Sequence, residues 1–242
     1  MLSQHKRNGV KYVGYMETSI SMAGWGICYV CDLLGLTPVI FYPKYKSGLK
    51  YNQQFQMLCW SSFNSIIIPI ESPNLQSINY YVAKKAFQGK YPGGIFLPLG
   101  LPFKGTIGAV AEEVKTTPKQ YLTGSIIMCA GSGTMAAGVV KGVSELGVTP
   151  TLHVVLVHKK GQLKMYNTIV GGSGKMKATL LEGQKLVIGG LLIHDLGYDY
   201  TQREKVVAPF PCNSYYDRKA WKFLVDNVGE LIEPILFWNI GA

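Results

Sequence analysis

The sequence predicts an α/β protein with two lobes, each a three-layer αβα arrangement around a mainly parallel sheet. Eight short apolar runs alternate with amphipathic segments of helical period along the chain. Strands that are apolar on both faces are typical of parallel sheets covered by helices. The chain has 242 residues, 48% of them hydrophobic, and no low-complexity linker, so it can bury a full core.

The elements follow one another in a regular order. The predicted strands are 11–16, 37–42, 65–70, 94–99, 125–130, 152–157, 185–190 and 234–239. The predicted helices between them are 22–35, 48–62, 74–88, 105–116, 134–146 and 217–228. Only 164–184 and 196–216 lack a clear period, and loops of that length in a compact domain usually line a site. We expect a small lobe at 12–105 and a larger lobe formed by 1–11 and 106–242.

The positive charge of the chain comes mostly from lysine. The net charge is +10, with 21 lysines and only three arginines. Such a surplus favours anionic partners, either phosphorylated small molecules or nucleic acid. Proteins that read nucleic acid usually cluster their basic residues and use arginine for bidentate contacts. These lysines are scattered and form no nucleic-acid-binding motif. The charge surplus still leaves a nucleic-acid partner open.

Other features point to a cytoplasmic protein without metal. The five cysteines have no framework spacing, which fits reduced thiols, and we expect the Cys28–Cys31 pair to pack in a core. The first residues lack a hydrophobic signal segment, and no apolar run approaches the roughly 18–20 residues of a membrane span. The four histidines show no spacing typical of metal ligands.

A glycine-rich turn lies between a predicted strand and a predicted helix. Residues 129–142 read CAGSGTMAAGVVKG, and we call residues 131–135 the glycine loop. Unpaired backbone N–H groups and the helix dipole at such a turn attract an anion, and glycine lets the backbone approach phosphate oxygens closely. The turn matches neither a Walker loop nor the GxGxxG dinucleotide motif. A plain strand–helix turn would explain these glycines as well.

A second polar turn follows the first predicted strand. Residues 17–24, which we call the hydroxyl loop, read ETSISMAG and precede a helix that closes at Leu34 and Gly35. This loop resembles the substrate-carboxylate loop of fold-type II pyridoxal-phosphate (PLP) enzymes, which reads ETGAGQHG in the tryptophan synthase β-subunit. Residues 131–138, GSGTMAAG, are similar to the cofactor-phosphate loop GSGGTxAG of the same enzymes, although Met135 takes the usual threonine position.

Three further segments resemble one branch of these enzymes, the aminocyclopropane-carboxylate deaminases and D-cysteine desulfhydrases. Residues 99–113, LGLPFKGTIGAVAEE, are similar to a glycine-rich turn and helix of that branch. The run YYDRKA at 215–220 resembles its Y-[ET]-G-K-[AS] motif, and ILFWNIGA at 235–242 resembles its VLFxHTGG ending. The segments fall in family order across almost the whole chain, so the chain is identified as a member of this superfamily.

The resemblance implies a PLP cofactor and a small amino-acid substrate, in a homodimeric lyase or deaminase. It implies that the substrate carboxylate binds Thr18, Ser19 and Ser21. It implies that the cofactor contacts Gly131, Ser132, Gly133, Thr134, Met135, Tyr216 and Asp217. Asp217 would face the pyridine nitrogen, or alternatively cap its own helix, and Tyr216 would lie against the ring or simply pack in the core. Glu17 is a candidate general acid or base if burial raises its pKa.

The departure from the family pattern that matters most concerns the Schiff-base lysine. The family carries its Schiff-base lysine on a segment more than twenty residues before the carboxylate loop, and only 16 residues precede Glu17 here. Lys141 and Lys219 are the nearest substitutes in sequence. We expect Lys141 to lie one or more helical turns away from the site, and the Lys219 side chain, at the start of a helix, to point outward. We therefore expect this chain alone to hold the cofactor non-covalently at best.

Three interpretations stay open. The chain is a truncated or split member of an active PLP lineage, which would be inactive alone. Alternatively, it is a lysine-less pseudoenzyme that binds a phosphorylated ligand or a partner chain. As a third possibility, it is a PLP-type enzyme of nucleotide or nucleic-acid modification, which the lysine excess suggests.

Overall fold

The chain divides into two compact units, Met1–Leu101 and Pro102–Ala242. The structure is a computed structural model, and it describes residues 1–71, 75–159, 161–173 and 190–240. Residues 1–11 group with the first unit, whereas the sequence analysis placed them with the second lobe. The Thr37 backbone N–H donates to the Lys11 carbonyl at 2.8 Å, which joins the end of this segment to the first sheet.

The first unit is a four-stranded parallel sheet with helices. Its strand order is β3-β2-β1-β4, and every pairing is parallel. The strands are β1 (Tyr12–Met16), β2 (Thr37–Pro43), β3 (Ile66–Ile70) and β4 (Ile95–Phe96). The helices are α1 (Leu2–Arg7), α2 (Ala23–Leu33), α3 (Gln53–Ser61) and α4 (Gln76–Lys90). Phe41 and Met16 of the sheet pack with Phe87 of α4 in one buried cluster.

The second unit repeats this plan with four more parallel strands, in the order β7-β6-β5-β8. The strands are β5 (Ser125–Ala130), β6 (Thr151–Leu156), β7 (Leu191–His194) and β8 (Ile235–Trp238). The helices are α5 (Lys104–Thr116), α6 (Thr134–Leu146), α7 (Gln162–Ser173) and α8 (Asp217–Asn227). Helices cover both faces of the sheet, with α5, α6 and α7 on one and α8 on the other. This confirms the predicted α/β class with parallel sheets.

Differences from the predicted elements are local. Helix α7 lies in a stretch without a clear period, because two glycines and several polar residues dilute its buried stripe of Met165, Tyr166 and Ile169. Strand β7 begins just after the predicted strand 185–190, whose residues 185–189 lie outside the described residues. The stretch 196–216 contains no helix or strand, as predicted. Cys28 and Cys31 are fully buried free thiols in α2.

No helix within the described ranges has the length and apolar character required to cross a membrane.

The helix that follows the glycine loop is held by an unusually close contact with α5. A Cβ added at Gly138 would lie 2.4 Å from the Cβ of Val110, and one at Gly142 would lie 2.6 Å from the Cβ of Val114. Real Cβ atoms do not approach so closely, so only glycine at these two positions allows this spacing of the helices. The contact fixes α6 and therefore the loop at its start.

Gly138→Ala should lower the free energy of unfolding by about 1–3 kcal/mol, because the new methyl group overlaps Val110. The matched control is Gly108→Ala on α5, where an added Cβ meets nothing within 4 Å. That control should gain about 0.5–1 kcal/mol from helix propensity. Urea unfolding of both variants measures the difference, and an unchanged or raised stability of Gly138→Ala would contradict the close contact.

Candidate functional site

Parallel strands place all their carboxyl ends at one edge of a sheet, where α/β proteins bind ligands. In the second unit this edge carries the glycine loop after β5, Val157 after β6 and Ile240 after β8. The start of α8 lies at the same edge, because Asp217 contacts both Cys129 and Ile240. The residues predicted to bind a cofactor therefore come together within this unit.

The glycine loop has the backbone of an anion-binding turn. Gly133 adopts a left-handed conformation, with φ of 93°, and immediately precedes α6. An added Cβ at this position would lie 2.9 Å from the sulfur of Met165, so both conformation and space require glycine. Helix α6 has 13 residues and no acidic side chain in its first turn. No carboxylate of that turn therefore competes with a bound anion for the positive end of the helix dipole.

The two hydroxyls of the glycine loop contact each other. The Ser132 hydroxyl donates to the Thr134 hydroxyl at 3.2 Å, and Ser132 Oγ accepts the Thr134 backbone N–H at 3.4 Å. Thr134 is buried while Ser132 is exposed. A phosphate at the helix start could accept from the exposed hydroxyl and from the backbone N–H groups without rearrangement of α6.

Tyr216 lies beside the glycine loop. A Cβ added at Gly131 would be 3.3 Å from Cε1 of the Tyr216 ring and 3.6 Å from a Val157 methyl group. The missing side chain at Gly131 therefore leaves the loop backbone in contact with the tyrosine ring. Tyr216 is half-buried, so part of the ring stays open for a ligand.

Asp217 is fully buried at the first position of α8. Its Oδ1 accepts the Ile240 backbone N–H at 3.1 Å and the Cys129 thiol at 3.2 Å. The N-cap residue of α8 is Tyr216, not Asp217. The carboxylate instead joins the ends of β5 and β8, and burial together with this carboxylate raises the pKa of the Cys129 thiol well above its usual range.

Lys219 is buried, which corrects the expectation that its side chain points outward. Its Nζ donates to the Val157 carbonyl at 2.6 Å and to the Asp199 carbonyl at 3.5 Å, and it lies 4.9 Å from the centre of the Tyr198 ring. Burial lowers the pKa of this amine to about 8. The sequence signal was the four-residue spacing from Lys219 to the buried Phe223, which places both on the inner face of α8.

Lys141 behaves as expected. Its amine pairs with Glu145, one turn further along α6, and Glu145 also pairs with Lys115 at 2.7 Å. These exposed pairs lie on the helix surface and contribute little to stability.

In the first unit, the hydroxyl loop is built around its own side chains. Thr18 Oγ1 accepts the Ser21 backbone N–H at 3.0 Å, and Ser21 Oγ accepts the Ala23 N–H at 3.1 Å at the start of α2. The side chain of buried Gln56 donates to the Thr18 carbonyl at 2.8 Å and so supports the turn from the protein interior. Ser19 Oγ lies 2.8 Å from the hydroxyl of Tyr45. Sequence reasoning missed Gln56 and Tyr45, since no local motif marks them.

Glu17 anchors the same loop from inside. Its side chain is fully buried, and its two oxygens accept the backbone N–H groups of Thr18, at 2.9 Å, and Gly24. Burial raises the pKa of the carboxyl to about 7, against the lowering effect of these hydrogen bonds. The pKa fits a proton carrier, whereas the burial and the two backbone bonds fit a group that shapes the turn.

Comparisons with known proteins support one class of enzyme. No protein-family model matches the chain. The crystal structure of a homologue of aminocyclopropane-carboxylate (ACC) deaminase superimposes with a TM-score of 0.73 at 22% identity, covering 99% of this chain and 76% of that one. Holo diaminopropionate ammonia lyase from Escherichia coli gives a TM-score of 0.50 at 16% identity, over 67% of this chain and 42% of its own. The fold is that of the fold-type II PLP enzymes.

A relative in sequence identifies the family of the chain. The glycyl-dTMP PLP-dependent decarboxylase of Pseudomonas phage M6 is 34% identical, over 95% of this chain and 81% of that protein. The chain therefore belongs to the fold-type II PLP-dependent enzymes, in the family that includes this decarboxylase. The predicted family and the predicted cofactor are confirmed.

The buried Glu17 carboxyl makes stability depend on pH. Its pKa of about 7 in the folded protein lies above the ordinary value of 4.5, so the folded state holds this proton more tightly than the unfolded chain. The resulting stability is fully present below pH 4.5 and is lost as pH rises through 7. Between these limits the loss is about 3 kcal/mol at most.

Urea unfolding of the wild type and of Glu17→Gln, at steps from acid to neutral pH, measures this effect. Glu17→Gln removes the titrating group, so its stability should fall less between these pH values than that of the wild type. Glu71→Gln, at an exposed carboxyl, serves as the control and should follow the wild-type profile. Parallel profiles for the wild type and Glu17→Gln would show that Glu17 does not titrate differently on folding.

Proposed function

We propose that this chain is a PLP-dependent lyase that removes the carboxyl group from a glycyl unit carried by a thymidine nucleotide. The observation that carries the proposal is the 34% identity, over 95% of the chain, to a protein described as a glycyl-dTMP PLP-dependent decarboxylase. The net charge of +10 supports a substrate that bears phosphate. The reaction replaces the carboxylate by a proton and releases carbon dioxide.

The second unit is proposed to hold the cofactor. The backbone N–H groups of residues 131–135 and the exposed Ser132 hydroxyl would bind its phosphate, since the glycine loop leaves the start of α6 open. The half-buried Tyr216 ring would lie along the cofactor ring. When bound, pyridoxal phosphate withdraws electrons from the α-carbon of the substrate and so weakens its bond to the carboxylate.

Asp217 is proposed to keep a proton on the ring nitrogen. Its Oδ1 already accepts the Ile240 N–H and the Cys129 thiol, which fixes the orientation of the carboxylate at the sheet edge. Because no solvent screens a fully buried side chain, a carboxylate at this position would act strongly on a ring nitrogen at short range. A carboxylate in this environment favours the protonated ring.

The first unit is proposed to bind the substrate carboxylate through the hydroxyl loop. The hydroxyls of Thr18 and Ser21 accept backbone N–H groups and hold the turn in shape at the start of α2. The Ser19–Tyr45 hydroxyl pair is the part of the loop best placed to donate to an anion. We assign Glu17 to the shape of this loop rather than to proton transfer, because both of its oxygens are bonded to the backbone.

A second proposal concerns the lysine that attaches the cofactor. All eight lysines of the first unit are exposed or half-buried, so none has a desolvated amine of the kind that attacks an aldehyde. Among the described lysines of the second unit, only Lys219 is fully buried, and its amine donates hydrogen bonds to two carbonyls. We therefore propose that this chain holds pyridoxal phosphate non-covalently and turns over slowly by itself.

Borohydride reduction in the presence of pyridoxal phosphate, followed by mass spectrometry, tests this second proposal. Scattered labelling of surface lysines, well below one cofactor per chain, is expected. Stoichiometric labelling of a single lysine would overturn it and would identify the attachment site directly.

Cofactor binding should depend on Gly133. Gly133→Ala places a Cβ on a left-handed residue of the glycine loop, so pyridoxal phosphate should bind at least about tenfold more weakly. Gly147→Ala is the matched control, because Gly147 is also left-handed, with φ of 68°, at the other end of the same helix. Equilibrium dialysis measures both variants. Equal weakening in the two would show that the effect comes from helix strain and not from the loop.

Release of carbon dioxide from glycyl-dTMP tests the reaction itself. With pyridoxal phosphate bound, we expect slow release that an added primary amine, such as methylamine, accelerates at least about tenfold by supplying the reactive amine that, on this proposal, the described lysines do not provide. Asp217→Asn should abolish most of this accelerated rate, while Asp226→Asn, on the exposed side of α8, should leave it unchanged. Release from free amino acids but not from glycyl-dTMP would overturn the proposed substrate.

A further inference from the structure

The outer surface of two helices in the first unit is apolar. Six large hydrophobic side chains on α2 and α3 are 40–67% exposed to solvent. We call these six side chains the apolar face: Trp25, Tyr29, Val30, Leu33, Phe55 and Leu58. A surface helix normally turns its charged and polar residues to solvent. An apolar outer side on two helices therefore calls for a partner surface that covers it.

The two helices lie side by side, so their outer sides form one surface. A Cβ added at Gly24 of α2 would lie 2.9 Å from Nε1 of Trp60, which belongs to α3. Further along α2, the ring of Tyr29 meets the ring of Phe63, just beyond α3, edge to face at 6.3 Å between centres. The helices are therefore in contact near both ends of this surface.

This surface carries almost no charge. Together α2 and α3 contain one charged residue, Asp32. Helix α4 carries three lysines, and it packs on Phe41, whereas the next strand residue, Tyr42, packs with Trp60 of α3. Because successive strand residues point to opposite faces, the charged helix and the uncharged pair lie on opposite faces of one sheet. Depletion of charge and enrichment in aromatic residues are typical of the core of a protein interface.

The size of the apolar face fits a stable dimer. A large aromatic side chain can bury about 150–250 Å², so six large side chains that are about half exposed present on the order of 500 Å². A standard interface buries about 800 Å² on each partner. In homodimers about 65% of that area is apolar, which again gives about 500 Å². The apolar face therefore supplies the apolar part of one such interface.

Charge favours a second copy of this chain as the partner. Two copies that each carry a net charge of +10 repel one another, and a surface without lysines lets them meet at low electrostatic cost. An acidic partner would instead be steered to the lysine-rich surfaces of the chain. A contact with twofold symmetry places the same surface of both copies face to face, and an uncharged apolar surface is complementary to itself.

We propose that two copies of this chain associate through the apolar face, in a contact with twofold symmetry. The homodimer that the family resemblance implies is thereby assigned to one surface of the first unit. Trp25, Tyr29 and Leu33 follow one another at four-residue spacing and form a ridge along α2. Ridges of this spacing on two helices interdigitate when the helix axes cross at about −50°. Phe55 and Leu58 of α3 extend the contact on one side of the ridge.

Sedimentation velocity of the chain, over a series from low to high micromolar concentration, tests the proposal. The wild type should sediment as a dimer. The variant Leu33→Glu/Leu58→Glu changes two side chains that are each 67% exposed in a single copy, so the fold of that copy does not need them. In the dimer these substitutions would bring like charges together without solvent, so the dissociation constant should rise at least about a hundredfold.

The matched control is Leu75→Glu/Tyr81→Glu, which makes the same change of charge at the start of α4 and on its exposed side. It should dimerise like the wild type. Circular dichroism of both variants checks that they are folded. The urea midpoint of the wild type and of the control should rise with protein concentration, because association stabilises the folded state. The midpoint of Leu33→Glu/Leu58→Glu should stay constant.

Four results would overturn the proposal. A wild type that stays monomeric at the highest concentration would leave the apolar face to a partner other than a second copy. An unchanged dimer in Leu33→Glu/Leu58→Glu would place the interface elsewhere on the chain. Equal weakening in the two variants would show that the added negative charge matters and its position does not. Association beyond two copies would contradict the twofold contact, because such an interface closes at the dimer.

Discussion

The proposed cofactor site depends on one buried carboxylate. Asp217 opens α8 out of contact with solvent, and a buried carboxylate without donors would cost several kcal/mol. The Ile240 N–H and the Cys129 thiol supply those donors, so the ends of β8 and β5 must stay where Asp217 can reach them. The same constraint fixes the residues on either side. It places Tyr216 against Gly131 and Lys219 against the Val157 carbonyl.

The first unit uses a buried carboxylate in a related way. Glu17 follows β1 directly and accepts the N–H of Gly24, in the first turn of α2, where the helix dipole favours negative charge. Gly24 is glycine because a Cβ there would lie 2.7 Å from the Glu17 carboxylate. In each unit, a turn that we propose to face a ligand is therefore held by a buried acidic side chain. In the first unit, the Glu17 carboxyl holds the turn in shape, and burial raises the pKa of this carboxyl.

The sequence revealed those parts of the fold in which local pattern and tertiary burial agree. Strand β5 is buried at all six positions, and five of its six residues form an apolar run after Ser125, so its limits were predicted to the residue. Helix α7 was missed because glycines and polar residues dilute its buried stripe. One of these glycines, Gly172, lies where an added Cβ would be 3.0 Å from the Ala137 side chain of α6, and local pattern cannot show such a contact. Family motifs pointed to Asp217 and Tyr216, whereas Gln56 and Tyr45 support the hydroxyl loop from distant positions in the chain. Such residues become visible only when the backbone brings them together.

The environment of Lys219 explains why a buried lysine need not be the one that attaches the cofactor. An amine attacks an aldehyde only when it is neutral and its lone pair is free. Burial lowers the pKa of Lys219 to about 8, which by itself would favour the neutral form near that pH. Its Nζ, however, donates to two carbonyls and lies over the Tyr198 ring, and all three contacts favour the ammonium ion. The side chain thus ties the long 196–216 loop to the end of β6, and its bonds would have to break before it could act as a nucleophile.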